Sequence, residues 1–424
     1  MCPSEQAVTS EPPRAPTAPV HAPMTQFPVV AGELKVGGFP LSRLAARVGC
    51  TPFYAYDRGL LRARVLELRA ALPQAIKLHY AMKANPMPAL VGLMTGWVDG
   101  IDVASAGEMA VAFDAGAAPR DISFAGPGKR DAELRQAVAA GVLVNVESAR
   151  ELPLLAQASQ QLGLPARVAV RVNPDFELKS AGMKMGGGPK PFGIDVEQVP
   201  EVLKQIAALG LDFEGFHLYA GSQNLHAPSI CEAQLKSYDL AVRLAACAPC
   251  PPQSLNLGGG FGIPYFPGER RLDLTPIGDH LSGLVERARA DLPGLALVIE
   301  LGRYLVGEAG IYVTRIVDRK VSRGQVFLVT DGGMNHHLSA SGNFGQVVRK
   351  NHPVTIGNRA DAPDHERASV VGPLCTSLDL LADRMDLPVA QIGDLVVVFQ
   401  SGAYGASASP QKFLGHPPCA EVLV

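Results

Sequence analysis

Between residues 77 and 301, short β-favouring segments alternate with longer helical ones, and few architectures accept that rhythm. The strand candidates are KLHYAM (77–82), GIDVAS (100–105), DISFAG (121–126), VLVNVE (142–147), RVAVRVN (167–173), FEGFHLYAG (213–221), SLNLGG (254–259) and ALVIEL (296–301). Helical stretches such as GEMAVAFDAG, DAELRQAVAAG, EQVPEVLKQIAALG and LSGLVERARADL lie between them. Ser105 with Glu108, and Ser148 with Glu151, fit the S-x-x-E box that starts a helix just past a strand. Eight strands, each with a following helix, predict a (β/α)8 barrel of the α/β class. A doubly wound sheet has the same local alternation and stays open as the alternative.

The flanks read differently. Residues 1–28 are rich in Pro, Ala, Ser and Thr and bury too little to order themselves, so a disordered tail is expected there. Residues 29–50 are expected to give a strand and a short helix, as an N-terminal segment pairing with a later β domain; the barrel is expected over 51–303. Beyond it, IYVTRIVDRKVSRGQVFLVTDGG reads as two strands about a polar Ser-Arg-Gly turn. VTIGN, ASVVG, GDLVVVFQSGAYG and CAEVLV read as further short strands. An all-β domain is therefore expected over 304–424.

Composition narrows the function. A hydrophobic share of 47% and a charged share of 18% suit a well-buried globular enzyme, and a net charge of −2 gives no electrostatic case for nucleic acid. No run approaches bilayer-spanning length, and no basic-then-apolar signal opens the chain. The seven cysteines are read as scattered, without C-x-x-C pairs or metal-ligand spacing, in a chain too large to need disulfide staples. A cytoplasmic protein with no metal and no membrane partner is expected.

Polar residues crowd the C-terminal ends of the strands, the end of a barrel that carries active sites. They are Lys83, Ser105, Lys129, Glu147, Arg171 with Asn173, His217 and Tyr219 with Ser222, the glycines 258–260, and Glu300 with Arg303. Lys83 stands where the first strand opens into a loop. A lysine in a half-apolar pocket has a lowered pKa and can form a Schiff base with an aldehyde, although an isolated lysine is more often a surface residue. Gly258, Gly259 and Gly260 offer successive N–H groups that can wrap a phosphate, with the Ser222 hydroxyl nearby. A plain tight turn explains the same run, and no G-x-G-x-x-G opens a helix there. Glu300, after ALVI, is costly to bury unless paired, either with Arg303 or with a pyridinium nitrogen. An aldehyde-binding lysine, a phosphate cup and an acid for a ring nitrogen together describe a pyridoxal 5′-phosphate site.

Seven motifs extend that description: YAMKANP, GIDVASAGE, GFHLYAGSQ, LNLGGGFGIPY, ELGRYLVGEAG, VGPLC and GAYG. In this order they resemble the fold-type III pyridoxal phosphate decarboxylases, which include diaminopimelate, ornithine and arginine decarboxylases. The resemblance implies an alanine racemase-like TIM barrel with a C-terminal β domain. It implies that Lys83 carries the cofactor, that Ser222, Gly258 to Gly260, Arg303 and Tyr404 surround its phosphate, and that Glu300 meets its ring nitrogen. Cys375, in VGPLC, matches the cysteine that protonates the carbanion after CO₂ leaves, entering from the other subunit of a homodimer with shared sites. Lys83 and Cys375 would then be catalytic, and Arg303, Thr376 and Tyr404 would meet substrate.

Three departures from the family fall in substrate-facing parts. Tyr219 stands where diaminopimelate decarboxylases carry a histidine that stacks on the cofactor, with His217 two residues before it. Thr376 stands where a glutamate binds the distal ammonium of diaminopimelate. HHLSASGNFGQ (336–346) replaces an Arg-Pro-x-Leu-Tyr segment. Together they turn the expectation away from diaminopimelate. The stretch NPDFELKSAGMKMGGGPKPFGID (173–195) is similar to exosortase-associated decarboxylases and to the carrier-protein glutamate decarboxylase of butirosin-type pathways. It reads equally as a loop admitting a tethered substrate or as an ordinary lid. The expected partner is a free amino acid or a carrier-tethered aminoacyl group. An amino-acid racemase or isomerase on the same scaffold, and a non-catalytic homologue, remain alternatives. The carboxylate at Glu300 favours decarboxylation, because the racemase places an arginine at the ring nitrogen.

Overall fold

In the computed structural model, which describes residues 19–176, 183–184 and 186–424, eight parallel strands close into a barrel. They are β1 (Lys77–Ala81), β2 (Gly100–Val103), β3 (Ile122–Phe124), β4 (Leu143–Val146), β5 (Arg167–Asn173), β6 (Asp212–Leu218), β7 (Ser254–Gly259) and β8 (Ala296–Leu301). Each strand pairs with the next, and β8 returns to β1 with Glu300 opposite His79. That closure bears out the barrel and removes the doubly wound alternative, which would leave two open edges.

The pleat sorts each strand by alternation. Leu78, Ile101, Val144, Leu255 and Ile299 join one apolar core. Their neighbours His79, Asp102, Asn145, Asn256 and Glu300 alternate with them and so face the barrel interior, which is polar. Helix ends follow local chemistry. Ser105 Oγ accepts the Glu108 N–H at 3.1 Å, as the S-x-x-E box predicts, while Glu108 Oε2 turns to the Ala104 N–H at 2.7 Å. The second box does not form. Glu151 is buried and receives the Lys129 ammonium at 3.1 Å, and its helix starts from Arg150. Leaving that ammonium unpaired would cost about 3–5 kcal/mol, more than the ~1 kcal/mol of a cap.

Past the barrel, Gly310–Ser322 and Gln325–Thr330 form an antiparallel hairpin. Its two-residue turn is Arg323 and Gly324, at φ 50° and 80°, the left-handed pair that matches strand twist. Val354–Ile356, His365–Val371, Leu380–Pro388 and Leu395–Val398 complete the sheet. Leu380–Pro388 escapes the sequence reading because its charged residues (LLADRMDLP) mask the alternation. Phe53–Tyr56, assigned by sequence to the barrel, instead hydrogen-bonds between Gly310–Ser322 and Ala420–Leu423 in the β domain. All four of its residues are buried, and nothing local in FYAY tells one sheet from the other.

The N-terminal segment also needs correction. Residues 29–40 pair among themselves as three short strands rather than into the β sheet. They reach that domain by packing, with Leu34, Val36, Leu41 and Leu44 in one cluster with Phe53, Ile311, Val313 and Val397. The tail expected over 1–28 is ordered in its described part. Phe27 is buried with its ring 5.8 Å from Phe399, and Val20 O accepts the Gly268 N–H at 2.9 Å. Residues 1–18 lie outside the described residues, as do 177–182 and 185 of the glycine- and lysine-rich stretch. No helix among the described residues is long and apolar enough to cross a membrane.

Candidate active site at the barrel mouth

Lys83 occupies the short 3₁₀ turn Met82–Ala84 that follows β1. Its Nζ lies 5.5 Å from the centre of the Tyr219 ring, just past β6. Burial works to lower its pKa, but the Glu300 carboxylate, with the Tyr219 and Tyr404 phenols, outweighs burial and holds the ammonium above its ordinary value. The lowered pKa expected from sequence is therefore corrected by a carboxylate that is far away in sequence but lies on the strand paired with β1.

Glu300 is buried at the end of β8. His217 Nε2 lies 3.0 Å from its Oε2, off-line for a hydrogen bond, and Asn256 Nδ2 donates to the same oxygen at 3.2 Å. Burial alone would raise the carboxyl. His217 beside it, with Lys83 and Arg171, overcomes burial and holds it down at about 2. Glu300 makes no ion pair with Arg303, so the structural pairing is not formed. Arg303 opens the helix Arg303–Val306, donates to the Tyr265 hydroxyl at 2.8 Å, and lies over the Tyr404 ring at 4.7 Å. Tyr404 comes from the β domain, with φ 53° and its N–H on Ala84 O at 2.7 Å. The Asn85 side chain ties the same two elements together through Gly402 O at 2.9 Å.

The glycine run bends where only glycine fits. Gly258 and Gly260 have φ of 68° and 73°. A Cβ on Gly260 would sit 2.0 Å from Gly221 O, and one on Gly259 would sit 2.1 Å from Glu300 O. The Gly258 N–H is taken by Asn256 Oδ1 at 2.8 Å. Ser222, close against Gly260, has a buried hydroxyl with no hydrogen-bond partner among the described residues. A buried donor left unmet beside a glycine cradle is what an anionic ligand would complete.

Other expected residues lie apart. Lys129 is paired with Glu151, and Arg171 donates to Glu147 at 2.7 Å, so both cations are spent in buried pairs. Ser105 caps its helix. Cys375 and Thr376 sit on the 372–379 loop of the β domain, with Cys375 exposed and bonded to nothing at the barrel mouth. That loop hangs on buried Asp379, which accepts the Met334 and Leu374 N–H groups at 2.6 and 2.8 Å. Sequence reasoning missed Asn256, Tyr265 and the His79–Asp102 pair, 3.0 Å apart beneath Glu300. The mid-strand polar residues in LNL and IDV were the available signal. The reading that the cysteines form no C-x-x-C pair is wrong at Cys247 and Cys250, which are both exposed. No metal-ligating group of three or more residues occurs among the described residues.

The fold and site thus define a barrel enzyme with an ammonium, an ionised buried acid and an anion cradle at one mouth. A family model described as the pyridoxal binding domain of pyridoxal-dependent decarboxylases matches residues 58–307. The chain is 40% identical over 379 residues to the L-glutamyl-[BtrI acyl-carrier protein] decarboxylase of Niallia circulans, covering 88% of each. It is 34% identical over 398 residues to the diaminopimelate decarboxylase of Aquifex aeolicus, covering 93% of this chain and 91% of that one. The solved diaminopimelate decarboxylase of Helicobacter pylori, complexed with L-lysine, superposes with a TM-score of 0.79 at 27% identity, over 90% of this chain and 94% of that one. The chain belongs to the pyridoxal-dependent decarboxylases: it is a pyridoxal 5′-phosphate-dependent carboxy-lyase. The unmet Ser222 hydroxyl, the glycine cradle and the ionised Glu300 fit that cofactor.

Proposed function

We propose that the chain removes the α-carboxylate of an amino acid whose far end carries no charge, with a glutamyl group tethered to a carrier through its side-chain carboxyl as the chemistry that fits. The 372–379 loop carries this reading. Thr376 stands where a distal ammonium would need a carboxylate, and its Oγ1 already accepts the Leu378 N–H at 3.3 Å. The one acid of that loop, Asp379, is buried with both oxygens spent on backbone. The 40% identity to a decarboxylase named for a carrier-protein substrate supports the same reading.

Bound pyridoxal phosphate supplies an electron sink for the carbanion left by departing CO₂. On this reading Lys83 would hold the cofactor through its amine. Glu300, held ionised, keeps a proton on the ring nitrogen, and His217 and Asn256 hold Glu300. Tyr219, whose ring lies under Lys83, would pack against the cofactor. Ser222, Gly259 and Gly260 meet the phosphate, Gly258 shapes the turn, and Arg303 and Tyr404 take anionic oxygens of cofactor or substrate. Thr376 faces the neutral far end. Cys375 gives Cα a proton after CO₂ leaves. Because that thiol is exposed and bonded to nothing at its own mouth, we assign it to the mouth of a second copy in a homodimer. Unpaired thiols accord with a cytoplasmic enzyme.

The test is CO₂ release by purified protein with added pyridoxal phosphate. Glutamyl carrier protein, free glutamate and meso-diaminopimelate are offered separately. Release from the glutamyl carrier is expected. Rapid release from meso-diaminopimelate would overturn the reading of Thr376.

A further inference from the structure

A cleft of about 370 Å³ runs outward from Arg303, between Tyr265–Glu269 on one side and Ser339–His352 on the other. At its outer rim Val347 is fully exposed and Val348 is 72% exposed, unusual places for valines. Its charges are arranged in a pattern. Arg303 closes the inner end against Tyr265 and Tyr404. Glu269 Oε2 accepts both the Tyr265 and Phe266 N–H groups, at 2.8 and 3.0 Å, so that carboxylate is engaged by backbone. His352 is buried among other cations and is held neutral. Lys350, exposed at the outer end, lies 5.5 Å from the Phe266 ring and has no ion-pair partner among the described residues. The cleft therefore offers a cation at each end, the aromatic side chains of Tyr265, Phe266 and Phe344 between them, and two valines at the outer rim.

A free amino acid has nothing to place against the outer cation. A phosphopantetheine arm does: its thioester end joins the aminoacyl group, its middle is neutral amide, and its gem-dimethyl group adjoins a phosphate. Resting on the tethered-substrate reading above, we propose that this cleft is the track for the arm. Lys350 meets the phosphate, and Val347 and Val348 flank the dimethyl group.

The holoenzyme would be assayed on glutamyl carrier protein and on the glutamyl thioester of N-acetylcysteamine, which lacks the phosphate and dimethyl group. Wild type is compared with K350E and with K350Q, which keeps much of the stem over Phe266. Loss of a charge-assisted contact is worth about tenfold, so the ratio of kcat/KM for carrier over short thioester should fall about tenfold in K350E and less in K350Q. An unchanged ratio, including an equal loss on both substrates, overturns the cleft assignment while leaving the tethered reading standing. Turnover of free amino acids alone, with neither thioester accepted, overturns the tethered reading and the arm track with it.

Discussion

Ser222 and Glu300 show how single residues commit this site. Glu300 sits deep in the barrel, yet the imidazole of His217 and the ammonium of Lys83 keep it ionised where burial alone would neutralise it. A neutral acid could not hold a proton on a ring nitrogen. The Ser222 hydroxyl is the converse case, a buried donor that the protein itself leaves unmet. On the proposed reading it meets the cofactor's phosphate, so Ser222→Ala should weaken cofactor binding about tenfold while leaving the folded apoprotein intact. Titration of apoprotein with pyridoxal phosphate, followed by absorbance, reads this directly. Equal affinity in the variant would place the phosphate elsewhere. Lys83, Glu300 and Ser222 were singled out in the sequence because each stands at or just past a strand end, where a charge or hydroxyl follows an apolar run. Asn256 and the His79–Asp102 pair were not, because mid-strand polar residues become informative only once alternation is known to point them into a barrel.

At the scale of elements, the 336–352 segment illustrates local chemistry serving tertiary placement. His337 is buried, with Nδ1 accepting the Ala340 N–H at 3.2 Å and Nε2 2.8 Å from the Ser401 hydroxyl. Those partners suit a neutral ring, and burial pushes its pKa down to about 3 from 6.5. Between those values the unfolded chain binds a proton that the folded chain refuses, so stability is full above 6.5 and falls as pH drops toward 3. Buried His352 adds a slope of the same sign. Melting temperature measured across that window should therefore fall with pH. H337Q, which takes up no proton, should fall less steeply. Parallel curves would show that His337 contributes nothing to the slope. The sequence marked this segment only as a departure from the family. Its packed His337 depends on Ser401, a residue 64 positions away.

At the scale of the molecule, the exposed thiol of Cys375 is the largest consequence of the proposal. Lys83→Ala removes the amine from one mouth, and Cys375→Ala removes the proton donor that would serve the other. Each homogeneous variant should therefore lose turnover, with Cys375→Ala still binding cofactor. Mixed and re-equilibrated in equal amounts, the two should recover about a quarter of wild-type activity, because half of random dimers carry one intact site. No recovery, with exchange of subunits demonstrated, would confine the site to a single chain.

The division between sequence and structure follows from the range of the forces involved. Alternation of strand and helix, turn residues such as Arg323-Gly324, and helix caps such as Ser105 act over a few residues, so the barrel and the β hairpin were determined locally. The strand-end lysine, glycines and acid were determined with them. What only tertiary structure decided was which partner each long-range group found. Phe53–Tyr56 left the barrel for the β sheet because two edges there could satisfy its backbone. Glu151 abandoned a cap for Lys129 because a buried ammonium outweighs one capping bond. Lys83 stayed charged because β8 brought a carboxylate near it. Coulomb interactions and unsatisfied backbone groups act through space, and the sequence carries no distances.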